Sequence, residues 1–277
     1  MAEHPNTTRI RRALDARRRP TLDADDLRLL EDLFADDVVW HGAAFAPAAG
    51  AEGKDQVVAL WNAFAKRDGA PRIAVGEVYA DSLHGVAVLN LSPADGGGRE
   101  TVAQGNVFHL NPAGKIDELW GLPTDRAIVD AFSTGAPVAE HRNFQLFRVA
   151  EETRQRNRFE PEDVAILEEF LREDVVWYGA GDSQWAEGAR GRDQVIGLFQ
   201  MFKQATGGTM RIELGHVFAD DRHALSLVEI SADRPDHPGR HMDLKEVNLF
   251  HLDPAGRALE FWGVPNDAAI MDNFWAA

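Results

Sequence analysis

The chain repeats itself. Asp37-Val38-Val39-Trp40-His41-Gly42 returns as Asp174-Val175-Val176-Trp177-Tyr178-Gly179, and Gly53-Lys54-Asp55-Gln56-Val57 as Gly191-Arg192-Asp193-Gln194-Val195. Asn106-Val107-Phe108-His109-Leu110 returns as Asn248-Leu249-Phe250-His251-Leu252, and Glu118-Leu119-Trp120-Gly121-Leu122-Pro123 as Glu260-Phe261-Trp262-Gly263-Val264-Pro265. The offset drifts from 137 to 142, so the insertions fall between matched blocks, where loops belong. A unit of roughly 135 residues is too long for a solenoid repeat and is the size of a whole domain. The 277 residues therefore divide into a basic N-terminal segment (1–20), a first domain (21–135) and a second (136–277), with the seam near Thr134-Gly135-Ala136-Pro137.

Each repeat reads in the same order. Leu27 to Phe34 and Val164 to Leu171 have helical spacing, and Asp37 to Gly42 and Asp174 to Gly179 are short β-type runs. Gln56 to Ala65 and Gln194 to Lys203 are amphipathic helices. Four β-type segments follow in each half, from Ile73 to Leu122 and from Ile212 to Val264, separated by turn residues such as Asn111-Pro112-Ala113-Gly114. Helices first and an antiparallel meander after make an α+β domain.

Charge narrows the partners. The formal charge of −16 repels nucleic acid and anionic lipid. Residues 1–20 depart from this with six arginines against two acids, which suits either a nucleic-acid arm or a solvated, capped helix and linker; the acidic remainder favours the second. No run approaches the roughly 18 apolar residues of a membrane span. Zero cysteines exclude disulfides and thiolate chemistry. The expectation is a cytoplasmic protein with neither a nucleic-acid nor a membrane partner.

With the Asp-Val-Val-Trp block, the Gly-x-Asp helix start, Val-Phe-His-Leu-x-Pro-x-Gly and the Trp-Gly-x-Pro ending, both halves resemble the SnoaL-like part of the nuclear transport factor 2-like superfamily. That group includes ketosteroid isomerases, polyketide cyclases and epoxide hydrolases. The resemblance implies two cone-shaped domains, each a curved antiparallel sheet wrapped around helices, with an apolar pocket on the concave side. It further implies sheet-to-sheet pairing, here as an internal pseudo-dimer, with a further homodimer open. Similarity to the isomerases sets Asn106 at their oxyanion-hole acid and Val88 on their pocket wall. Gly42 and Gly179 stand where the isomerases keep a catalytic Asp. Gly121 and Gly263 stand where polyketide cyclases would carry theirs, so neither mechanism carries over. Fused pairs among the polyether cyclases of the superfamily make a biosynthetic role an expectation.

Side chains alternate along a strand. One face of Val102 to Leu110 carries Gln104 and Asn106, and the preceding strand is expected to add Val88 and Asn90. The same parity in the second half selects Leu227, Glu229, Ser231, Glu246, Asn248 and Phe250. Asn90 and Gln104 thus match Glu229 and Glu246, carboxylates in place of amides. If the hairpin is symmetric about its loop, Glu229 lies opposite Glu246, and two such acids in an apolar cone cannot both ionise readily. One then holds a proton, and Asn248 can donate to a developing oxyanion. The alternative is that the parity is off by one and the glutamates meet solvent, or that Lys245 or Arg240 pairs with one of them.

Trp40, Trp61, Trp177 and Trp185 can stack on a planar ligand or serve as plain core. Tyr178, matching His41, is an acid/base candidate at the pocket rim or a surface residue. His237 and His241 with Asp236 and Asp243 lack the supporting residues that a metal site needs, and no cofactor motif occurs. The expected function is cofactor-free acid/base catalysis (isomerisation, cyclisation, dehydration or epoxide opening) on a small apolar or polycyclic molecule. Glu229, Glu246 and Asn248 would be catalytic. Trp40, Trp61, Asn90, Gln104, Asn106, Trp177, Tyr178 and Trp185 would be ligand-binding. Non-catalytic binding of a small apolar or aromatic ligand, and an assembly role, are the alternatives.

Overall fold

The computed structural model describes residues 3–16, 22–43, 50–66, 71–92, 101–123, 142–181, 185 and 187–276. Arg17 to Arg19, the run Gly96-Gly97-Gly98, the Thr134–Pro137 seam, Asp125 and Asp130 lie outside those residues. The chain divides into two units, Ala2–Ala139 and Glu140–Ala277.

The first unit runs α1 (Pro5–Ala16), α2 (Ala24–Leu33), β1 (Phe34–Ala43), β2 (Ala51–Glu52), α3 (Lys54–Lys66), β3 (Arg72–Ala80), β4 (His84–Ser92), β5 (Val102–Leu110) and β6 (Ile116–Pro123). The second repeats it as α4 (Arg142–Arg156), α5 (Pro161–Phe170), β7 (Leu171–Tyr178), β8 (Ala189–Arg190), α6 (Arg192–Ala205), β9 (Arg211–Ala219), β10 (His223–Asp233), β11 (His241–Leu252) and β12 (Ala258–Pro265), and continues into α7 (Ala268–Trp275). The sheets have the orders β2-β1-β6-β5-β4-β3 and β8-β7-β12-β11-β10-β9.

Local chemistry sets the boundaries. The Asp23 carboxylate accepts from the N–H groups of Asp25 and Asp26 at 2.9 and 2.8 Å, and Asp26 accepts in return from the Asp23 N–H at 3.2 Å, a reciprocal cap that starts α2. Pro161, whose φ is already helical, starts α5. The repeated Gly-x-Asp needs its glycine: Gly53 and Gly191 sit at φ of 86° and 91°. There their N–H groups close onto the Val38 and Val175 carbonyls at 2.8 and 2.7 Å. Register shifts between Val75 and Val78, and opposite Ser226–Val228 in β9, bend each sheet around its helices.

Three expectations change. First, each sheet is mixed: β1 runs parallel to β6 and β7 parallel to β12, while β3 to β6 and β9 to β12 are antiparallel. The helical crossover between β1 and β3 returns the chain in the sense that leaves the last strand parallel to the first. Second, the basic N-terminal stretch holds a helix of the first core. α1 buries Ile10, Ala13 and Leu14 there, and Arg9 donates to the Gly114 carbonyl at 2.7 Å. Third, β4 and β10 present the opposite face from the one expected. Glu229 pairs with Lys245 and Val228 with Glu246; Asn90 pairs with Ala103 and Leu89 with Gln104. Parity within one strand does not carry through a turn. The hairpins join one residue away from the symmetric register, and with a period of two, one residue reverses every side chain. Ser226, Val228 and Ile230 therefore share the inner face with Glu246 and Asn248, while Leu227, Glu229 and Ser231 face outward.

Candidate functional site

The inner face of the second sheet, with α4 and α6, encloses a cavity of about 70 Å³, measured as room for the centres of water-sized molecules. Trp177, Phe199, Phe202, Phe261 and Trp275 give it an aromatic wall, and Met210, Met242 and Met271 add soft, adaptable surface. Trp177 stands amid the rings of Phe199, Phe202 and Phe261, with centroids 6.4, 6.0 and 6.3 Å away.

At the polar end are Glu246, Asn248 and Arg154. With its amide oriented to satisfy both neighbours, Asn248 donates to Glu246 Oε1 at 3.1 Å and accepts from Arg154 Nη2 at 2.9 Å. Arg154 also grips Glu151 in a fork, Nε to Oε1 at 3.1 Å and Nη2 to Oε2 at 2.8 Å. Gly263 makes room for the acid, since a Cβ there would stand 3.0 Å from the Glu246 carboxyl carbon.

Glu246 is only 6% exposed. Burial pushes its carboxyl up to about 7; Arg154 works against that shift and Glu151 reinforces it. Burial likewise opposes the charge on Arg154, but its ion pair and hydrogen bonds with Glu151, with Glu246 further off, keep the guanidinium above its usual range. The site thus holds a guanidinium paired with Glu151 and one carboxyl poised to gain or lose a proton near neutrality, beside a largely apolar hollow.

Glu246, Asn248 and Trp177 come together as the sequence suggested. Glu229 does not join them: it is exposed on the outer face and bridges Lys245 at 2.7 Å. Tyr178 is also outside, since it follows inward-facing Trp177. Its hydroxyl donates to Glu260 Oε2 at 3.2 Å and its ring stacks on Trp262 at 4.8 Å. Burial and the Glu260 carboxylate push that phenol up, making it a poorer acid. Trp185 packs edge-on against Phe202 and Trp275 at 5.5 and 6.2 Å, behind the wall. In the His237 cluster, Asp236 is held by a two-point contact from Arg234 at 2.8 and 2.6 Å, and His241 pairs with Asp233, outside the cluster, at 2.9 Å.

In the first unit Gln104 and Asn106 do face inward, with Gln104 Nε2 donating to Asn106 Oδ1 at 3.2 Å. Asn106 Nδ2 reaches the Ala87 carbonyl at 3.4 Å. Asn90 lies on the outer face, its Nδ2 placed 3.1 Å from where a Cβ on Gly76 would stand. Trp40 and Trp61 belong to the first hydrophobic core, Trp61 edge-on to Phe34 at 5.0 Å.

Strand parity does not reveal Arg154, Glu151 and Ser226. The signal lies in α4, where Phe144, Phe147, Glu151 and Arg154 fall on one helical face. Charges three apart on an apolar face announce a buried ion pair.

The SnoaL-like domain family matches the chain twice, over residues 14–119 and 153–261. The chain belongs to the SnoaL-like family. Both SnoaL-like domains share one architecture, a bent six-stranded sheet with its helices. Among similar solved structures is the protein Bal32a from a soil-derived mobile gene cassette, 25% identical, covering 48% of this chain and 95% of its own, with a TM-score of 0.43. Another is an NTF2-like protein of Burkholderia pseudomallei K96243, 22% identical over 50% of this chain and 100% of its own, TM-score 0.41. A third is an LEH-like epoxide hydrolase of M. tuberculosis, 16% identical over 48% of this chain and 88% of its own, TM-score 0.36. No curated protein matches this SnoaL-like chain. Among the described residues no helix is long and apolar enough to cross a membrane.

Proposed function

We propose that the second SnoaL-like domain moves a proton to or from a small, largely apolar ligand, with Glu246 as the proton carrier and Asn248 holding its carboxyl in place. The observation that carries this reading is one buried carboxyl at the wall of an aromatic cavity, pushed up to about 7. An acid tuned to the ambient pH both gives and takes a proton with little penalty, and proton transfer of this kind needs only side chains. Isomerisation, cyclisation, dehydration and epoxide opening all use such a step. The first domain, with amides where the second has its acid, takes no part in the proton transfer.

The test is solvent deuterium exchange at the α-carbon of the bicyclic ketone 2-tetralone, followed by NMR. Wild-type protein is expected to accelerate exchange, with the rate rising through about pH 7 as Glu246 ionises. Glu246→Gln is expected to lose on the order of 100-fold of that acceleration. Equal rates in the two proteins overturn the reading.

The wall favours a second reading. A methionine-rich, aromatic surface re-packs around varied ligands, which suits a binder that sequesters an aromatic metabolite. Wild-type protein that binds 2-tetralone without accelerating its exchange decides for the binder.

A further inference from the structure

The acid at the cavity wall is the end of a chain of side chains that leads back into α4. Glu151 is 3% exposed and forms no part of the cavity lining. Its carboxylate accepts from Arg154 Nε at 3.1 Å, from Arg154 Nη2 at 2.8 Å and from Ser226 Oγ at 2.6 Å. A guanidinium offers its donors in a fixed planar fork, so the edge committed to Glu151 cannot also grip Glu246. What reaches Glu246 Oε1 is the neutral Asn248 amide, which accepts from Arg154 on its other side.

We propose that Glu151 is a positioning residue: clamped by Ser226, it holds the Arg154 fork away from Glu246 and so leaves Glu246 as the carboxyl that carries the site's proton. The inference rests on reading Glu246 as the proton carrier. The first domain supplies independent support. Asn6 and Asn143 donate to the matching carbonyls of Asp81 and Asp220, which aligns α1 with α4 and sets Leu14 at the place of Glu151. Ala87, opposite Asn106, stands at the place of Ser226, opposite Asn248. Where Gln104 replaces the acid, the clamp and its anchor are replaced with it, as a brace with no other structural duty would be.

The experiment is a ¹³C NMR titration of glutamate side-chain carboxyls in the full chain, the Glu246 signal being the one lost in Glu246→Gln. It uses Glu151→Gln and the double variant Glu151→Leu/Ser226→Ala, which installs a pair already packed in the first core, where Leu14 and Ala87 are 1% and 0% exposed. Wild-type Glu246 is expected to titrate at about 7. Both variants are expected to titrate at least one pH unit lower, a tenfold loss of proton affinity, because the released Arg154 turns to Glu246. The double variant decides if Glu151→Gln fails to fold. A folded variant that titrates like wild type overturns the positioning role while leaving Glu246 as proton carrier. Wild-type Glu246 titrating in the ordinary carboxyl range overturns both.

Discussion

The two domains share a fold but differ at the inner wall of the sheet, and the difference is one of charge more than of shape. Gln104 and Asn106 occupy the first domain's wall where Glu246 and Asn248 occupy the second's. Leu14 and Ala87 stand in for Glu151 and Ser226. An amide has the outline of a carboxyl and none of its titration, so the first wall can hold a ligand by hydrogen bonds but has no proton to exchange near neutrality. The two copies carry this difference with no change in sheet order. The second copy carries a cost: an acid that ionises near neutral pH inside a core costs stability whenever it is charged.

That cost is the widest expected difference between the domains. Glu246 has a folded value of about 7 against an ordinary 4.5. A value raised by folding contributes stability that is whole below about pH 4.5 and is lost as pH rises through about 7. The loss approaches about 3 kcal/mol above pH 8, since each pH unit between the two values corresponds to about 1.4 kcal/mol. Urea denaturation of the full chain at pH 5 and pH 8 is expected to show that decline in the wild type, and Glu246→Gln is expected to flatten it. The matched change Gln104→Asn in the first domain is expected to leave the slope intact. A wild-type stability that does not fall between these pH values removes the asymmetry on which the comparison stands.

A smaller difference lies in the backbone. Asn157 and Phe159, at φ of 50° and 56°, are the described non-glycine residues in the left-handed region. Both line the cavity, and Asn157 Nδ2 donates to the Met210 carbonyl at 3.1 Å. Leu22 holds the position of Phe159 in the first domain, just ahead of the cap of α2. Strain of this kind gathers where geometry serves a site. At Phe159 a glycine variant is expected to be about 1 kcal/mol more stable than an alanine variant, since both lose the ring and only glycine loses the strain. At Leu22 the order is expected to reverse by about 0.5 kcal/mol, because glycine there only adds freedom to the unfolded chain. The same order at both sites would show that the two segments are not strained differently.

The fold is legible in the sequence because its pattern occurs twice. A strand such as Val102 to Leu110, ambiguous in one copy, is firm when it recurs with its flanking turn, and the Gly-x-Asp helix start recurs with the same backbone demand. The site is legible only where one strand suffices. Glu246, Asn248, Gln104 and Asn106 lie on one side of a single strand each, and alternation fixes their face. Asn90 and Glu229 need the register across a hairpin, and no property of either strand counts the residues in the turn between them. Glu151 and Arg154 are hidden differently. Both read as surface charges on a polar helix, and the one clue to their burial is that they share a helical face with Phe144 and Phe147.

Glu229 and Glu246, so alike in sequence, give the smallest expected effect and the sharpest contrast. Glu229 and Lys245 sit directly opposite each other on adjacent strands, with side chains 57% and 49% exposed. Water screens such a pair, and holding two long side chains together costs entropy, so exposed ion pairs contribute roughly 0–1 kcal/mol. Glu229→Gln is therefore expected to change stability by less than about 0.5 kcal/mol in urea denaturation. It is also expected to leave 2-tetralone exchange at the wild-type rate, while Glu246→Gln removes it. The two substitutions delete the same carboxylate from strands that touch, and differ only in which side of the sheet loses it. A Glu229→Gln protein that fell with Glu246→Gln would mean that the outer face takes part in the chemistry, and the division of labour between the two surfaces of this sheet would have to be redrawn.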